Sequence, residues 1–212
     1  LLRTGPLSMS MNQGGGFFRT DESRDRPNMQ LYFQAFSTVI PKPGERPILS
    51  PDPWSGFSIG LSNCRPTSRG SIHIRSRDPL TAPRIVPNAY STDNDVEEML
   101  AAVKFLRRIA AQPALAEVIE EEILPGPACR SDEALIDDFR RRSGTVYHPV
   151  STCRMGPEPA AAVVDPRLRV HGLSGLRVID ASVFPSVISG NTNAAAIVTG
   201  AKGAAMVLED QG

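Results

Sequence analysis

The residues best suited to chemistry lie in two short stretches of the last third of this 212-residue chain. The first is Tyr147-His148-Pro149-Val150-Ser151-Thr152-Cys153-Arg154-Met155-Gly156. Pro149 biases the residue before it toward extended backbone, so the His148 imidazole sits on a restricted link, and an imidazole can take up or release a proton near pH 7. The plainer reading, a hydrogen-bonded loop or core histidine, fits His148 taken alone. The second stretch is Ser189-Gly190-Asn191-Thr192-Asn193, directly before a helical pattern. Backbone N–H groups at a helix N-terminus favour an anionic group lying against them. Asn191, Thr192 and Asn193 are also good N-cap residues, so plain capping explains them as well.

Other catalytic templates fail. The chain has no phosphate-cradling G-x-x-x-x-G-K-[ST], no H-E-x-x-H and no G-x-G-x-x-G opening a helix, and its one G-x-S-x-G match, Gly56–Gly60, lies in a stretch that reads as a strand and so makes no nucleophile elbow. Cys153 follows His148 by five residues, whereas Cys64, Cys129, His73 and His171 lie far away in sequence, so no zinc-type spacing arises and no metal is expected. His73 reads as a surface or sheet-face residue, and Trp54, between Pro53 and Ser55, as a packing anchor.

Composition narrows the class. With 23 Lys+Arg against 23 Asp+Glu the formal net charge is zero, which removes the basic footprint expected of a nucleic-acid or anionic-membrane partner. No run approaches the roughly 20 apolar residues of a membrane span. Three cysteines cannot form a fully paired disulfide framework, so a soluble protein of a reducing, cytoplasmic compartment is expected. The chain opens Leu1-Leu2-Arg3, which reads as a piece of something longer.

The elements that must position these residues can be read from periodicity. Residues 1–29 read as loop with one strand at most, the glycine run Gly14-Gly15-Gly16 allowing a close backbone approach or a bend. Gln30–Ser37 alternates as an aromatic-rich strand, followed by a proline-rich loop. Phe57–Cys64 and Gly70–Arg75 read as two further strands of an antiparallel sheet, with Arg65–Gly70 as the turn between them. After Ser91-Thr92-Asp93 comes a helix with Val96, Met99, Leu100, Val103 and Leu106 on one face, stopped by Pro113. Further helices are expected over about 114–123 and 132–142, the latter capped by Ser131. The charge runs read as solvated faces. Leu176–Asp180 is a short strand opening into Ala181-Ser182. Ala194–Leu208 is a helix whose Ala196, Gly200, Gly203 and Ala204 invite close packing against a sheet.

From Thr145 onward the motifs also resemble a known family. Tyr147-His148-Pro149 through Met155-Gly156, then Val163-Val164-Asp165-Pro166, Leu168–Gly172, Gly175–Pro185 and Ser189-Gly190-Asn191-Thr192-Asn193-Ala194, look like the C-terminal signature of the glucose-methanol-choline (GMC) oxidoreductases, most similar to the choline dehydrogenase-like branch. Arg65-Pro66 with Ser68-Arg69-Gly70 resembles a further motif upstream. The resemblance departs at Ser151, where many members have glycine, and in lacking the family's N-terminal dinucleotide-binding unit.

That resemblance implies an FAD-dependent oxidation of an alcohol, this chain being the C-terminal part of the enzyme and inactive alone. It implies His148 as catalytic base and Asn191 as its partner. Asp180 and Ala181 would lie along the phosphate and ribityl part of FAD, and Thr192, Asn193 and Ala194 under the isoalloxazine edge. The implied partners are a small alcohol and the missing N-terminal portion. The implied fold is α+β: residues 1–143 a substrate-side domain of antiparallel sheet and flanking helices, residues 144–212 the last strand and helix of an FAD-binding α/β domain. A non-catalytic binding or assembly module that keeps this fold is the alternative.

Overall fold

The computed structural model describes residues 10, 12–39 and 50–211. Much of the proline-rich loop and the first nine residues lie outside that range. The described chain forms two compact units, residues 1–63 with 93–143, and residues 64–92 with 144–212.

The first unit is an antiparallel sheet with helices. Strand β1 (Gly14–Phe18) pairs with β2 (Met29–Gln34), which pairs with β3 (Ser58–Asn63) in the order β1-β2-β3. The glycine run is therefore a strand rather than a bend. A Cβ on Gly15 would stand 2.8 Å from the Leu31 carbonyl oxygen, so the missing side chain is what lets β1 approach β2. Helix α1 (Asp93–Ala110) packs beside the sheet, with Phe105 stacked on Phe18 at 4.3 Å between ring centroids.

The buried face of α1 shares only Met99 with the apolar stripe that periodicity selects. Asp95, Glu98, Met99 and Ala102 are its buried residues, while Val96, Leu100, Val103 and Leu106 are only half-buried. The two acids are tolerated inside because they are partnered. Arg24 contacts Glu98 Oε1 at 2.6 Å, and Asn63 donates to Glu98 Oε2 at 3.1 Å. These acids are thus part of the interior, not of a solvated face.

Two further expectations change. Helix α2 covers only Pro113–Ala116 instead of continuing to residue 123. The run Glu117, Glu120, Glu121, Glu122 has no basic residue one turn away, and Glu122 turns back to accept from Arg107 Nε at 3.2 Å. Trp54 is about half exposed rather than a buried packing anchor. Helix α3 (Asp132–Arg142) matches expectation, with the Ser131 hydroxyl accepting from the Ala134 N–H at 3.2 Å.

In the second unit, β4 (Ser71–His73) pairs not with β3 but with β5 (Arg84–Val86), a strand that sequence reasoning missed. Arg65–Gly70 is not a hairpin turn, because it is held by its own contacts: Arg69 Nη1 donates to the Pro66 and Ser68 carbonyls, and Asn88 Nδ2 donates to the Arg69 carbonyl. The expected strand Leu176–Asp180 shrinks to one bridge, Arg169 to Arg177, since no partner strand lies beside it among the described residues.

Helix α4 (Asn193–Glu209) forms as expected. It packs on a core of Val164, Leu168, Val183 and Phe184. Its two glycines differ in what they face: a Cβ on Gly203 would fall inside the Ile179 side chain, 3.0 Å from Cδ1, whereas Gly200 faces open space.

Candidate active site

The core of the second unit is what positions both chemical stretches. Val150, two residues after His148, and Ile188, three residues before Asn191, both pack against Val164, Leu168, Val183 and Phe184. Backbone bonds add to this anchoring: the N–H groups of Cys153 and Met155 donate to the carbonyls of Ser182 and Val183 at 2.9 and 2.8 Å. Asp165 stiffens the intervening loop by accepting from the backbone N–H groups of Arg167 and Arg169. Burial pushes the Asp165 pKa up, but the bonds to Arg169 and Arg167 outweigh it and hold the carboxyl below its ordinary value.

His148 is flanked by restraint on both sides. Pro149 follows it, and Tyr147 before it has φ +62°, the left-handed region that costs an L-residue about 1–2 kcal/mol. Ser151 is likewise left-handed at φ +72°. Such strain persists only where the surroundings impose it, and it clusters at functional positions.

The imidazole of His148 is half-buried and engaged through both nitrogens. Its Nδ1 lies 2.7 Å from the Thr192 hydroxyl, and its Nε2 lies 2.8 Å from Asn191 Nδ2. The structure therefore brings together His148, Asn191 and Thr192, residues 43 and 44 positions apart. With the Asn191 amide nitrogen facing Nε2, its NH2 donates and Nε2 accepts, and in that arrangement the ring proton of a neutral imidazole sits on Nδ1, donated to Thr192 Oγ1. In that arrangement Nε2 is the nitrogen that carries the lone pair, which the Asn191 amide engages.

Thr192 is the N-cap residue of α4, but its side chain makes no capping bond. The capping explanation of this stretch fails for Thr192, because its hydroxyl is committed to His148 instead. The contact was not foreseen from sequence, where Thr192 figured only as a cap or a cofactor neighbour. Its one visible signal was a hydroxyl residue next to Asn191. Upstream, Arg65 Nη1 donates to the Ser189 hydroxyl at 2.5 Å, tying the Arg65-Pro66 motif to the loop that carries Asn191.

Asp180 and Ala181 lie at the start of a 3-10 turn (Ala181–Val183) rather than at a strand end. Asp180 caps that turn, its Oδ1 accepting from the Ser182 N–H at 2.7 Å. Asn193 and Ala194 occupy the exposed first turn of α4. Among the described residues no group of three or more His, Cys, Asp or Glu gathers as a metal site, and no helix is long and apolar enough to cross a membrane.

Comparison with known proteins gives this arrangement a context. The C-terminal model of the GMC oxidoreductases matches residues 66–200, which include every residue of the cluster. The alcohol dehydrogenase [acceptor] of Pseudomonas putida is 39% identical over 206 residues, covering 97% of this chain and 36% of that protein. The oxygen-dependent choline dehydrogenase of Xanthomonas axonopodis pv. citri is 41% identical over 199 residues, covering 94% of this chain and 34% of that protein. Among solved structures, the pyridoxine 4-oxidase of Mesorbium loti superposes with a TM-score of 0.80 at 29% identity, covering 94% of this chain and 38% of that one. The chain spans about a third of the length of the curated relatives it matches. Its motifs, its fold and the family model converge, and the chain belongs to the GMC oxidoreductases.

Proposed function

We propose that this chain carries the acid–base centre of an FAD-dependent oxidation of an alcohol, with His148 as base and Asn191 as its partner. The observation that carries the reading is the orientation of His148, whose Nε2 lone pair faces Asn191 while Nδ1 is held by Thr192. Support comes from relatives named for alcohol and choline oxidation, and FAD is the cofactor that the resemblance to the GMC oxidoreductases implies.

The residues present fit such a cofactor. The Thr192 side chain does not cap α4, and the positive end of this 17-residue helix favours a group that carries or gains negative charge. The exposed turn at Asp180-Ala181 lies on the same core. Thr192, Asn193 and Ala194 with Asp180 and Ala181 would hold FAD, which when bound supplies the hydride acceptor.

The protein side of the reaction follows from the geometry. At 2.8 Å the Asn191 amide occupies the Nε2 lone pair, so a docking hydroxyl must displace it. The hydroxyl then donates to Nε2, while Asn191, which cannot titrate, swings to donate to the alcohol oxygen. Transfer of the hydroxyl proton to Nε2 leaves an imidazolium whose Nδ1–H still donates to Thr192. Removing that proton is what allows a hydride to depart from the carbon, and Asn191 stabilises the oxygen as its charge grows.

Under this reading residues 1–143 belong to a substrate-side domain and residues 144–212 to the cofactor domain, completed by an N-terminal dinucleotide-binding portion. In the complete polypeptide His148→Ala is expected to lower kcat by about two to four orders of magnitude with flavin still bound, read from the absorption spectrum alongside turnover. Near-normal turnover would mean that another group is the base.

A further inference from the structure

We infer that Thr192 is a positioning residue that selects the reactive tautomer of His148. The inference rests on the reading of His148 as base and deepens it. A hydroxyl at a helix N-cap normally accepts from the N–H two or three residues on, and the N-cap backbone is normally extended. Thr192 does neither: its φ and ψ are −80° and −13°, and its side chain makes no cap bond. The helix forgoes its own cap, and the hydroxyl stands 2.7 Å from Nδ1 of a residue 44 positions away.

The chemistry explains what that exchange achieves. In water a neutral histidine side chain favours the proton on Nε2, which would leave the reactive nitrogen without a lone pair. It would also set an N–H against the Asn191 amide, two donors 2.8 Å apart. With the Asn191 amide donating to Nε2, the Thr192 hydroxyl, which can donate or accept, takes the acceptor role at Nδ1 and holds the reverse tautomer. The same bond holds the ring plane and survives protonation, since imidazolium keeps its Nδ1–H. Valine has the shape of threonine without the hydroxyl and isolates this role, whereas serine retains it.

The test uses the complete FAD-loaded polypeptide with 15N-labelled histidine. This chain has three histidines, His73, His148 and His171, and the signals that vanish in His148→Gln belong to His148. The wild-type and Thr192→Ser proteins should show a protonated Nδ1 and a pyridine-like Nε2. Thr192→Val should move the population toward Nε2–H and lower kcat, taken per bound flavin, by about one to two orders of magnitude. Thr192→Ser should recover most of that loss. A wild-type spectrum with the proton on Nε2 overturns the inference without recourse to any variant. So does a Thr192→Val protein with wild-type tautomer and kcat while His148→Ala is inactive. If His148→Ala retains near-normal kcat, the base assignment falls, and this inference falls with it.

Discussion

At the scale of single residues, the site rests on backbone conformations that side chains usually avoid. Ser151 holds φ +72° three residues after His148, at the position where the family pattern more often has glycine. Glycine adopts this conformation without the Cβ penalty of about 1–2 kcal/mol, and loses part of the gain to its greater freedom when unfolded. Ser151→Gly is therefore expected to stabilise the protein by about 0.5–1 kcal/mol, seen as a higher urea midpoint at unchanged slope. An unchanged or lower midpoint would show that the serine hydroxyl repays the strain. His148 and Asn191 were legible in sequence because their motif neighbours mark them. The bond from Thr192 to His148 was not, since it joins residues 44 apart through a fold that periodicity does not describe.

At the scale of elements, legibility followed local signals. Helices α1, α3 and α4 announce themselves by caps, charge placement and period, and β2 by alternation. The elements that failed were decided by distant partners. The 176–180 stretch has strand composition but only one bridge to Arg169, and β4 pairs with a three-residue strand, Arg84–Val86, too short to show any period. Helix α4 shows the same divide within itself, because sequence offers several small residues for contact and the fold uses Gly203. Gly203→Ala must push against Ile179 and is expected to cost about 1–3 kcal/mol. Gly200→Ala meets open space and is expected to gain up to about 1 kcal/mol from helix propensity. Chemical denaturation of the two variants followed by far-UV circular dichroism checks the contrast, and equal effects would contradict the assigned contact.

At the scale of the whole molecule, the apolar surface is unevenly distributed. Helix α4 turns Ala195, Gly203 and Met206 toward the core, yet Ile197, Val198 and Leu208 are 65%, 61% and 71% exposed. Val146, Tyr147, Leu173 and Leu176 of the same unit are also about half exposed or more. Soluble chains seldom leave so much apolar surface uncovered unless something packs on it. The relatives are about three times as long as this chain. The 212-residue chain by itself is accordingly expected to bind a hydrophobic dye such as ANS and to associate as its concentration rises. Replacing Ile197 and Val198 by lysine should reduce both while keeping the helix, because lysine is a good helix former and these side chains support no core contact. In the complete polypeptide the same pair of substitutions should instead lower the melting temperature, because charge would then be placed against whatever covers α4. Dye binding that is absent, or unaltered by the two lysines, would show that this face of α4 is not the sticky one.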